Sequence, residues 1–194
     1  MNINKAIKKQ DKSVNRFLLF MGFIFFILIA VLLITHTYQT FFLTYLIIIV
    51  AIMLTAIFVT LNYYKLSYSV NGYKIVVYLG IFNEKINISG NKVVFVGIEE
   101  GEKDFQILLI SAAKIRSKRA KKIDKEFLIK HGYISSYYLD IIRKGNEDSY
   151  YYLILNKGGL KKYPLLNSIF KACVYAEYSE EAIKKIKEYR EGIK

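Results

Sequence analysis

From Phe17 to Leu61 the chain carries no Asp, Glu, Lys or Arg. A helix on the surface of a soluble domain needs a polar face, and Phe17–Ile29 is apolar all round, so that setting is excluded for this stretch. Phe17–Thr35 and Phe41–Leu61 are each about 20 residues long, or about 30 Å of helix, which matches the hydrocarbon core of a bilayer. The polar residues His36–Thr40 separate them. The pattern predicts a transmembrane hairpin over 17–61, with spans 17–35 and 41–61. A cleaved signal peptide is the competing reading of a basic start followed by an apolar run. The run is too long for it, no small-x-small site follows, and a second apolar run arrives five residues later.

Other residue types are nearly missing. Cys173 is the only cysteine, which excludes an intrachain disulfide and any cysteine-built zinc or iron–sulfur cage. It sits in an apolar pattern and reads as an inert core thiol. His36 and His131 are the only histidines. They fall on opposite sides of the predicted membrane, and neither has a partner at metal-ligand spacing. No nucleophile elbow or P-loop occurs, and Gly158-Gly159 runs into Leu-Lys-Lys without the further glycines of a dinucleotide site. Asp140, Glu147 and Asp148 are the one conceivable acid/base group, but the last two fall in a predicted turn and read as solvated. No catalytic residue, metal or cofactor is therefore predicted, and the expected class is non-enzymatic. The alternative is an unrecognised membrane enzyme acting on lipid or envelope substrates, its reacting groups paired only by folding.

Acidic residues are scarce too, with 16 Asp and Glu against 29 Lys and Arg, a net charge of +13. Residues 1–16 hold Lys5, Lys8, Lys9, Lys12 and Arg16 against Asp11, and all other basic residues lie beyond Leu61. By the positive-inside rule both termini are expected in the cytoplasm, with residues 36–40 outside the cell membrane. The sequon at Asn87-Ile88-Ser89 then has no role. Asn62-Tyr63-Tyr64-Lys65 reads as an interfacial belt, with no Pro- or Ser-rich linker after it.

Residues 62–194 are enough for one cytoplasmic domain. Leu66–Val70 alternates with period two, Asn71-Gly72 suits a type I′ turn, and Tyr73–Leu79 returns. Lys85–Ser89, Lys92–Ile98 and Phe105–Ile110 add strands with breaks too short for parallel crossovers, so an antiparallel meander is expected. Strands are also predicted at Tyr133–Arg143 and Tyr150–Asn156, around a turn at Gly145–Asp148. The spacing Leu165, Leu166, Ile169, Phe170, Cys173, Val174 after the lone Pro164 suits a helix. A C-terminal helix follows, capped by Ser179, with Glu180–Lys184 and Glu181–Lys185 pairs and an inward face of Ile183, Ile186 and Tyr189. Tyr137-Tyr138 and Tyr150-Tyr151-Tyr152 could stack on bases, but half-buried strand positions explain them more simply.

The basic insertion 111–131 breaks the strand rhythm. Lys114, Arg116, Lys118, Arg119, Lys121 and Lys122 put six positive charges into nine residues. If the segment is helical, Lys114, Lys118, Lys121 and Lys125 share one face, with Ala112, Ile123 and Phe127 opposite. Membrane lipids are the expected partner, since each such cation near an anionic leaflet contributes about 1 kcal/mol. A solvated surface helix is the bland alternative, and an unidentified protein partner is the other binding expectation. The charge would suit nucleic acid as well, but the tether and the lack of any nucleic-acid motif argue against it.

Tyr64–Val96 resembles the bacterial pleckstrin-homology-like proteins anchored by two N-terminal spans. The likeness lies in Tyr-Lys-Leu-Ser-Tyr-Ser-Val, a hairpin, Gly80 ending the second strand, polar-basic Lys85 leading into Ile86-Asn87-Ile88, and a following Val-Val-Phe-Val strand. The family's proline after the third strand is absent, and the insertion at 111–131 is long. The resemblance implies a fold of α+β class: a two-helix transmembrane hairpin, a mostly antiparallel pleckstrin-homology-like β domain and a closing C-terminal α-helix. It implies nothing about ligand.

Overall fold

The computed structural model describes residues 2–35, 39–101, 104–132, 134, 137–138 and 149–192. Two helices open the chain, α1 (Ile3–Thr35) and α2 (Thr40–Tyr64). Both are long and apolar enough to cross a membrane, and their most apolar windows are only 0% and 6% buried. A core helix of a soluble protein would hide such side chains, whereas Leu19, Phe20, Phe26 and Ile47 stand exposed here. Of the predicted break at 36–40, Gln39 precedes α2 and Thr40 begins it, while His36, Thr37 and Tyr38 lie outside the described residues.

The basic stretch 1–16 is not a separate segment. Residues from Ile3 onward form the first turns of α1, which runs about 20 Å beyond Phe17 before its apolar part begins. Ile3 is 2% exposed and joins the domain core, with Ile7 packed beside it. Farther along, Gln10 Oε1 accepts from Leu160 N (2.9 Å), and Asp11 pairs with Lys161 (2.8 Å). The α2 end is fixed as well. Asn62 Oδ1 accepts from Ile81 N (3.3 Å), Lys65 O from Gly80 N (2.9 Å) and Tyr63 O from Gly158 N (2.8 Å). The expected belt at Asn62–Lys65 thus forms part of a joint between helices and domain.

The meander follows: β1 (Leu66–Asn71), β2 (Lys74–Leu79), β3 (Glu84–Ser89), β4 (Val93–Glu100) and β5 (Phe105–Ser111), with a 3-10 turn at Gly90–Lys92. β1-β2-β3 form one antiparallel sheet. The first turn departs from expectation by one residue. Asn71 pairs with Lys74, so the loop is Gly72-Tyr73, and Gly72 alone takes positive φ (+57°). That is the requirement of a type II′ turn, glycine first, and not of type I′.

The second sheet has the order β6-β7-β5-β4-β8, where β6 is Lys121–Lys122, β7 Tyr151–Leu155 and β8 Glu177–Tyr178. Its pairings are antiparallel except β4 with β8. Between the sheets lies the main core, where Ile75, Val77, Ile86 and Ile88 meet Val96, Ile107, Leu109 and Leu153. Two helices complete it: α4 (Lys162–Ala172), through Leu165, Leu166 and Ile169, and α5 (Glu180–Glu191), through Ala182, Ile186 and Tyr189. Ile183, predicted inward, is 39% exposed, because Ala182 takes the inner position. Ser179 caps α5 by accepting from Ala182 N (3.2 Å), and Lys185 pairs with Glu188 (3.3 Å).

β5 is buried on both faces, since Leu108 and Ile110 point away from the main core into a second cluster with Phe95, Phe127, Ile134 and Tyr150. Short α3 (Lys125–Lys130), capped by Asp124 accepting from Phe127 N (2.8 Å), covers that outer face. The strand expected at Tyr133–Arg143 is not found where the chain is described: Gly132, Ile134, Tyr137 and Tyr138 are helical. The remainder, with Asp140 and the turn at Gly145–Asp148, lies outside the described residues. The architecture is α+β, with two apolar N-terminal helices, mostly antiparallel sheets and a C-terminal helix.

Candidate functional site

The basic insertion is not a helix before Lys125. Ser111 makes an ST turn, its Oγ accepting from Ala113 N (3.2 Å), and the chain then extends along β3. Asn87 N donates to Arg116 O (3.4 Å) in an isolated antiparallel bridge. Side chains alternate: Lys114 and Arg116 are exposed, while Ile115 between them is 4% exposed and enters the core. A helix would have turned Arg116 and Arg119 toward Ala112 and Phe127. The period-two path leaves them polar surroundings, and it covers the open edge of β3.

The six cations therefore scatter. Arg119 Nε donates to Glu84 Oε2 (2.7 Å) and its Nη1 to Asn156 Oδ1 (3.1 Å), tying the two sheets together. Burial and the neighbouring Arg119 push the Lys157 amine below its usual range, partly offset by Glu84. Lys121 and Lys122 pair with Tyr152 and Tyr151 at the far edge of the second sheet, and Lys118 is exposed on the turn before them.

Lys114 and Arg116 do meet other cations. With Lys74 from the start of β2 and Lys92 from the 3-10 turn, they line a cleft of about 310 Å³ that also contains Asn87, Ser89 and Ser111. Among the described residues, no carboxylate lines it. Lys74 stands opposite Ser89, and Ser111 Oγ lies 3.0 Å from Lys92 O, so the hairpin register and the end of β5 bring these groups together. Lys74 and Lys92 carried no sequence signal of their own. Only the correct register of the first two hairpins would have put them beside the insertion.

Groups with catalytic chemistry are built into the framework. His131, 9% exposed, ends α3, with its Nδ1 hydrogen-bonded to Glu99 Oε1 and its ring against Phe127. Lys162 is fully buried. Its Nζ donates to Asp104 Oδ1 and Phe105 O and sits 5.2 Å from the Phe105 ring centroid. Burial pushes its amine below the usual range, opposed by the Asp104 carboxylate, which also receives the Tyr63 hydroxyl. Burial likewise pushes the Cys173 thiol up to about 12, so it stays protonated at neutral pH. Among the described residues, no three His, Cys, Asp or Glu side chains come together to hold a metal.

What fold and site define is a class: an α+β domain hydrogen-bonded and ion-paired to two long apolar helices, with a cleft lined by four cations. No protein-family model, curated protein or solved structure matches the chain.

Proposed function

We propose that this is a two-span protein of the cell membrane, both termini cytoplasmic, whose pleckstrin-homology-like domain is a non-enzymatic binding module. Two observations support the anchor: the uncharged, exposed lengths of α1 and α2, and the basic residues at both cytoplasmic ends. The sheet pair closed by a C-terminal helix supports the fold kinship.

The observation that carries the binding role is the cleft of Lys74, Lys92, Lys114 and Arg116. Four cations without a carboxylate repel one another, and an anionic partner removes that cost. The cleft sits at the Lys74–Ser89 end of the first sheet, whereas the Leu79–Glu84 end adjoins α2. Five residue steps along β2 are about 17 Å. The cleft is thus removed from the end of α2, and we take an acidic segment of a partner protein as its occupant, with the protein's own leaflet as the alternative that the test separates.

A photo-crosslinking residue at Ala113, which lines the cleft, tests this in native membranes. The expected result is a discrete protein adduct that fades as salt rises and is lost in a Lys74→Glu, Arg116→Glu variant. Adducts only to lipid, or an adduct indifferent to charge reversal, would refute it.

A further inference from the structure

A second cavity, of about 600 Å³, opens where α1, α2 and the domain meet. Its volume falls in the range of small-molecule sites, about 300–1,000 Å³. The lining is graded along the helix axes. Lys9, Gln10, Ser13 and Tyr64 stand on the domain side, and Phe17 and Val59 on the side of the apolar spans. Lys9 to Phe17 is about 12 Å along α1, which carries the cavity from water through the headgroup layer to the edge of the hydrocarbon.

The polar side chains have one character. Lys9 offers three donors, Ser13 and Tyr64 each offer a hydroxyl, and among the described residues no carboxylate, histidine or thiol lines the space. The nearby carboxylate, Asp11, is engaged by Lys161. Gln10 ties this wall to the domain. Its Oε1 is taken by Leu160 N, while its Nε2 is buried with no hydrogen-bond partner among the described residues. The surroundings suit a group rich in oxygen acceptors, negatively charged and joined to an apolar body. A phosphodiester with acyl chains has those properties, whereas a soluble metabolite would leave Phe17 and Val59 uncovered.

We propose that this cavity holds one anionic phospholipid, with its phosphodiester near Lys9, Gln10 and Ser13 and its chains along Phe17 and Val59. The proposal rests on the two helices spanning a bilayer and is independent of the cationic cleft. Because Gln10 and Asp11 also bind Leu160 and Lys161, the lipid would brace the joint between membrane and domain.

The test is native mass spectrometry of the full chain in detergent, supplied with phosphatidylglycerol, phosphatidylcholine or glycerol phosphate. One phosphatidylglycerol is expected to be retained saturably, about fivefold more strongly than phosphatidylcholine, the preference set by one cation near the headgroup. Lys9→Gln should abolish that preference. Ser13→Phe should block both lipids by filling the space. Both residues are exposed, so the thermal transition without lipid should stay put in each variant. Retention unchanged in Ser13→Phe, or no saturable retention in the parent, would overturn the proposal. Equal retention of glycerol phosphate would mean a phosphate site and not a lipid site, which overturns the proposal.

Discussion

Replacing Asp104 with Ala should be far more damaging than its position near the surface suggests. Lys162 is fully buried, and its ammonium has two oxygen partners, Asp104 Oδ1 and Phe105 O. Removing the partner of a buried charge costs about 3–5 kcal/mol. The 18% exposure of the Asp104 side chain puts the expectation at the lower end, about 3 kcal/mol. For a chain of this size, that lowers the midpoint of thermal unfolding by about 6–12 °C. Lys162→Met should restore much of the loss in the Asp104→Ala background, since an apolar side chain of similar length suits the site. The pH dependence carries the same signature. Burial already depresses the Lys162 pKa in the folded state, and Asp104 opposes that shift. Without Asp104 the folded-state pKa falls further below its unfolded value of 10.5. The unfolded chain then binds more protons between the two values, so the variant's stability should rise with pH through that window, more steeply than the parent's. Circular dichroism of the full chain in detergent provides the readout. A midpoint shift below about 2 °C, or additive effects of the two substitutions, would refute the account of a coupled buried pair.

Two further perturbations probe the domain. Gly72→Val should lower stability by about 1 kcal/mol or more, because a β-branched residue is strained at φ +57°, although open space surrounds the position; unchanged thermal unfolding would refute the turn assignment. Cys173 should resist alkylation at pH 8 until the domain unfolds. Because its thiol pKa rises from 9.0 to about 12 on folding, the folded state holds the proton longer. Stability should therefore fall as pH climbs above 9, by up to about 1.4 kcal/mol per unit from this group, and less steeply in Cys173→Ala.

What the sequence made legible was local. Uncharged length marked α2 and α1 from Phe17 onward but not the charged turns from Ile3, period-two alternation marked β1, and short runs between turn residues marked β2 to β5, the strands to within a residue or two of their ends. Ser179 and Glu180–Glu181 marked the last helix. Failures came where tertiary pairing decides. The turn at Asn71-Gly72 offered two residues suited to positive φ, yet the ladder closed one step later, pairing Asn71 with Lys74. At 114–119 the charge spacing fitted a helical face, but the unsatisfied edge of β3 drew the chain into an extended path. Two-residue β8 is too short to carry a periodic signal. The sites share that limit. Lys114 and Arg116 were visible as part of a charge run, whereas Lys74, Lys92 and Gln10 gain their meaning only from contacts with distant segments.

The central claim is a domain held by a membrane hairpin on its cytoplasmic face, and cysteine accessibility tests it most directly. In a Cys173→Ala background, Gln39→Cys and Lys125→Cys place single thiols between the two apolar helices and at the start of α3. On intact cells a membrane-impermeant maleimide should label the first and reach the second only after permeabilisation. Labelling of Lys125→Cys without permeabilisation would contradict the account.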